Sequence, residues 1–66
     1  MKANRMKVKL AMARACMNLS DLAEVAQLPR PTVINALAGK SVRTATIGRI
    51  ARALGVDVSE LIETEE

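Results

Sequence analysis

Apolar positions along the chain fall into five groups, each at helical spacing and each closed by a turn residue. Val8, Ala11, Met12 and Ala15 repeat as i, i+3, i+4, i+7 and predict a first helix over about residues 4–16, with Lys7, Lys9 and Arg14 off the buried stripe. Leu22, Ala23 and Ala26 mark a second helix over about 19–26. Asn18 suits its N-cap, and Asp21 three residues on completes a short-armed capping box. A third helix is predicted over about 30–38, with Val33, Ala36 and Leu37 inward and Gly39 stopping it in the left-handed conformation. Ile47, Ile50, Ala51 and Leu54 give a fourth over about 44–54, with Thr44 a candidate cap and Gly55 its stop. Val58, Leu61 and Ile62 give a fifth over about 58–63, opened by an Asp57/Glu60 capping box, after which the acidic tail 63–66 is expected to fray. Leu28, the apolar residue of the turn "QLPR", is expected to plug the core. There is no repeat, linker or low-complexity tract, so residues 1–66 read as one small all-α domain.

Half of the residues are hydrophobic and none is aromatic, so the core must be built from Leu, Ile, Val, Met and Ala. Narrow, Ala-rich faces bury little area; a monomer of this size is expected to be weakly stable, and dimerisation would help. The missing aromatics also remove the stacking platforms on which single-strand and RNA binders rely. Cys16 is the single cysteine, which rules out a disulfide framework; it is expected to be a buried, inert thiol in a reducing, cytoplasmic setting. The basic residues near the start interleave with apolar ones and leave no signal-peptide core. No stretch approaches the ~20 apolar residues of a membrane span.

Catalysis finds few candidates. Histidine is absent, so neither a Ser-His nor a Cys-His dyad can form, and no Cys/His metal cluster exists. Gly39, Gly48 and Gly55 are isolated, which excludes a phosphate loop. The expectation is a non-enzyme without cofactor, metal or evident small-molecule ligand. Charge is more informative. Residues 1–52 hold all ten Lys and Arg against Asp21 and Glu24, a balance of +8; residues 53–66 hold five acids and no base. A basic body with an acidic end suits a polyanion partner.

The segment "LPRPTVINALAGK" focuses that expectation. Two short helices with a tight turn, the second opening on polar and basic residues, match a helix-turn-helix over about residues 18–38, whose second helix enters the DNA major groove. Pro31 fits a first helical turn and pushes Arg30 from helical angles, so Arg30 is expected as the N-cap or a distorted first position. A positive side chain there opposes the helix dipole, a broken local rule that hints at function. With Val33, Ala36 and Leu37 inward, Arg30, Pro31, Thr32, Ile34, Asn35 and Ala38 lie nearer the outside. Arg pairs bidentately with guanine and Asn with adenine; Pro31, Thr32 or Ile34 can touch a thymine methyl, although Ile34 is equally explained by packing on a neighbouring loop. Lys40, Ser41 and Arg43 follow as a basic loop placed to grip phosphates.

The stretches "LSDLAEVAQLPRPTVINALAGK" and "TIGRIARALGVDVSELI" resemble the lambda-repressor-like, or XRE/Cro-type, helix-turn-helix family of phage and bacterial regulators, over about residues 6–62. The resemblance implies a compact five-helix DNA-binding domain. It places base contacts on Arg30, Pro31, Thr32 and Asn35 and phosphate contacts on Lys40, Ser41 and Arg43; it alone implies a phosphate contact for Asn18. Some positions depart from the family pattern. Leu19 stands where a Gln is common after the helix 2 cap, and Gln27 where the turn usually has Gly, which predicts positive φ at Gln27. Met12 and Leu37 replace a frequent Arg–Glu pair and are expected to touch.

The implied function is a sequence-specific double-stranded DNA-binding regulator, a phage- or mobile-element-type repressor that occupies its operator as a weak homodimer. Ile62, Leu61 or the helix 3–4 loop are candidates for the dimer surface. Two other readings stay open: an antitoxin that binds a toxin and its own promoter, against which the lack of a long tail counts, and a protein-interaction module with a degenerate helix-turn-helix, against which the +8 body counts.

Overall fold

The computed structural model describes residues 2–62. Four α-helices follow one another: α1 (Arg5–Ala15), α2 (Leu19–Ala26), α3 (Arg30–Leu37) and α4 (Thr44–Leu54). A single 3-10 turn, Val58–Glu60, replaces the expected fifth helix. The reason is local: Glu60 and Leu61 donate to the carbonyls of Asp57 and Val58, three residues back, and the chain then pairs in extended form at Ile62. The Asp57/Glu60 capping box does not form. Asp57 makes no side-chain cap, and its Oδ2 instead accepts from the Ser59 hydroxyl at 2.7 Å. The tail 63–66, expected to fray, lies outside the described residues.

All four helices stop in the same way. An N–H two residues past α1, α2 and α4, and three past α3, reaches back across the last turn: Met17 to Met12 O, Leu28 to Ala23 O, Val56 to Ala51 O and Lys40 to Asn35 O, each at 3.0 Å. These are Schellman motifs, and each needs a left-handed residue at its centre. Gly39 (φ 82°) and Gly55 (φ 71°) supply it without strain; Cys16 (φ 57°) and Gln27 (φ 58°) supply it despite a Cβ. The Gln27 value matches expectation. Cys16 was expected to be buried and is exposed, because it is the stop residue of α1 rather than part of its inward stripe. Met17, Leu28 and Val56, which follow three of the stops, fold back half-buried onto the core.

The core sits where α2 meets α3 and α4, with α1 laid against α3 and α4. Val8, Leu22, Val33, Ile47, Ile50 and Leu61 are its large, fully buried side chains, and Ala11, Ala23, Ala36 and Ala51 let the helices approach closely. Among the described residues no polar or charged side chain is buried. Met12 and Leu37 both lie half-buried against this core, where no ion needs a partner. Leu61 is fully buried, so it has no surface to offer a second copy and drops out as a dimer contact.

The first residues do something the helical pattern did not indicate. Lys2 forms an antiparallel bridge with Ser41, and Ala3, which is buried, forms another with Ile62. The Asn4 N–H donates to Leu61 O at 2.7 Å, and Asn4 Oδ1 caps α1 by accepting from the Lys7 N–H. The start of the chain is thereby tied both to the α3–α4 loop and to the end of the fold. No helix among the described residues is long and apolar enough to cross a membrane.

Candidate nucleic-acid interface

The second and third helices are set by their ends. Asn18 opens α2 with a complete capping box: Oδ1 accepts from the Asp21 N–H at 2.8 Å, and the Asn18 N–H donates to Asp21 Oδ2 at 3.1 Å. Gln27 turns the chain, Leu28 anchors the turn, and Pro29 starts α3. Pro29, not Arg30, is the N-cap: its carbonyl accepts from Thr32 and Val33, and Arg30 takes the first helical position with Pro31 second. The bias against helical angles before a proline is outweighed here because both first-turn bonds close. Pro29 has no side chain with which to cap, so the start of α3 has none.

Val33 and Ala36 are fully buried and fix the rotation of α3. Arg30, Pro31 and Asn35 are exposed on the other side, and Thr32 is half-buried at its margin. Pro31 and Asn35 are one turn apart and share a line along the helix; Arg30 and Ile34 share the adjacent line. Ile34 is 49% exposed, so packing on a loop does not account for it. The Arg30 guanidinium does not hang free. Its Nη2 donates to the Ser20 hydroxyl on the first turn of α2. Ser20 carries no signal in the sequence, since only the angle between α2 and α3 brings it to a residue ten positions on.

Behind α3 the basic loop leads into α4. Its Schellman motif departs from the other three, because an exposed, charged Lys40 stands where they have a half-buried apolar residue. Val42 packs inward and holds the loop, leaving Lys40, Ser41 and Arg43 exposed. Arg43, rather than Thr44, is the N-cap of α4: its carbonyl accepts from Thr46 and Ile47, and no side chain caps this end either. Neither Lys40 nor Arg43 takes part in an ion pair among the described residues. Thus Arg30, Pro31, Asn35 and the margin residue Thr32 come together on α3, and Lys40, Ser41 and Arg43 come together after it. Asn18 stands apart, at the start of α2, with its Oδ1 committed to the cap and the Asp21 carboxylate beside it.

A family model described as the Cro/C1-type HTH DNA-binding domain matches residues 1–66, the full length of the chain. The chain belongs to the Cro/C1-type helix-turn-helix family. No curated protein and no solved structure matches it. The Cro/C1-type family is one of DNA-binding domains, typically non-enzymatic. The resemblance read from the sequence is therefore confirmed at the level of the family. Among the described residues the expected five helices are four helices and a 3-10 turn.

Proposed function

We propose that this Cro/C1-type domain is a sequence-specific transcriptional regulator, a phage- or mobile-element-type repressor that blocks its operator by occupancy, as a weak homodimer in the cytoplasm. The observation that carries the reading is the outward tip of α3: Arg30, Pro31 and Asn35 exposed on one side of a helix whose other side, Val33 and Ala36, is fully buried. In the major groove Arg30 reads guanine and Asn35 adenine, while Pro31 and Thr32 meet thymine methyl groups. Ser20 occupies one of the five Arg30 N–H donors and holds the guanidinium near its working position, leaving donors for a base. Lys40, Ser41 and Arg43 contact phosphates and set the register. Asn18 reaches a phosphate through its Nδ2 amide, the group its cap does not use.

No covalent chemistry is needed. Affinity comes from releasing counterions at the basic loop, and preference comes from the α3 tip. The test is selection from random duplex DNA at about 0.15 M salt. A palindrome with half-sites about 34 Å apart is the expected product. Retention of duplexes with no shared motif would overturn sequence specificity, and a motif without twofold symmetry would overturn the dimer.

A further inference from the structure

We infer that Lys2 and Arg5 form a second part of the phosphate grip, delivered to the α3–α4 loop by the folded start of the chain. The inference rests on the DNA-binding reading and extends it to residues outside the helix-turn-helix.

The placement is specific. Lys2 is bridged antiparallel to Ser41, which lies between Lys40 and Arg43 in sequence. Paired backbones run about 5 Å apart, so the bridge sets Lys2 beside the basic loop. Arg5, the first residue of α1, lies over the stop residue of α3: its Cγ and Cδ are 3.7 and 3.8 Å from where a Cβ on Gly39 would stand. The stem of Arg5 therefore packs along the backbone just before Lys40. Two cations from the start of the chain and two from the loop thus gather around residues 39–43.

These two differ from Arg14 and Lys7. Arg14 pairs with Glu60 at 3.9 Å, and Lys7 Nζ donates to Ile62 O at 3.2 Å, so both serve contacts within the fold. Lys2 and Arg5 are exposed and join no ion pair among the described residues. Arg5 also sits at the positive end of α1, where a cation opposes the helix dipole. Four like charges around one loop repel each other until a polyanion joins them. The segment is held in place, with Ala3 buried and bridged to Ile62 and the Asn4 N–H on Leu61 O. Lys2 and Arg5 thus present their charge from a fixed position.

The test measures duplex affinity against salt for the wild type, Lys2→Gln, Arg5→Gln and Arg52→Gln. Arg52 is the control: the same charge change on an exposed residue, about 12 Å further along α4 from the loop. Lys2→Gln and Arg5→Gln are each expected to lower the slope of log K against log salt by about 0.9, a loss of roughly eightfold near 0.1 M salt, with base preference unchanged. Arg52→Gln is expected to keep the wild-type slope. Wild-type slopes for both Lys2→Gln and Arg5→Gln would overturn the inference, as would an equal change in all three variants, which would signal only net charge. Should the wild type itself hold no duplex, the DNA reading falls and takes this inference with it. Melting by circular dichroism checks each fold. If Arg5→Gln unfolds, Lys2→Gln decides alone, because the Lys2 bridge is made by backbone atoms.

Discussion

Replacing Gln27 with glycine isolates one backbone strain in this fold. Gln27 sits at φ 58° and ψ 47°, the left-handed stop between α2 and α3. A residue with a Cβ holds that conformation at a cost of about 1–2 kcal/mol. Glycine removes the clash but brings a freer unfolded chain, which returns about 0.5–1 kcal/mol. The midpoints of these two ranges leave a net gain for Gln27→Gly of roughly 0.75 kcal/mol. In a domain of this size each kcal/mol moves the midpoint by about 4–8 °C, so the melting temperature should rise by about 3–6 °C. The exposed Gln27 side chain makes no hydrogen bond among the described residues, and the hydrogen bond from Arg49 Nη1 at 3.4 Å goes to its backbone carbonyl, which glycine keeps. Thermal melting followed by far-ultraviolet circular dichroism is the assay, with Gln27→Ala as the control that keeps the Cβ. Glycine and alanine variants with coincident midpoints, or glycine the lower, would refute the strain argument.

Other substitutions test other parts of the account. Asn18→Ala removes the side-chain half of the α2 capping box and should cost about 0.5–2 kcal/mol in denaturant titration. Leu22→Ala empties a fully buried site at the centre of the core and should cost about 2–5 kcal/mol, a large share of the stability of so small a domain; the same titration, or loss of the folded baseline at room temperature, reads it. Lys40→Ala should weaken every duplex alike and lower the salt slope by about one, with no change in base preference, as measured by binding titrations over a range of salt.

Helical spacing alone makes most of the fold legible. Val33 and Ala36, or Ile47, Ile50, Ala51 and Leu54, each mark one buried face, and the structure buries all of them. Glycine announced two of the four helix stops; Cys16 announced none, because a left-handed cysteine has no sequence signature. The last segment misled because a capping pattern and three apolar residues suit a helix, yet it makes only i→i+3 bonds before Ile62 turns to pair with Ala3. That pairing left no trace in the pattern, since two isolated bridges need no alternation. Much of the candidate interface was legible as a set, because inward residues on α3 define the outward ones. What stayed hidden required three dimensions: Ser20 under Arg30, and Lys2 and Arg5 beside the loop.

The claim that the tip of α3 reads sequence is tested most directly by Arg30→Ala. Its binding, and that of the wild type, would be measured on the selected site and on every single-base variant of it. The account predicts a loss of about 1–3 kcal/mol on the best site and indifference at one base position, with preference elsewhere retained. An Arg30→Ala protein that keeps the full wild-type preference at every position would contradict it.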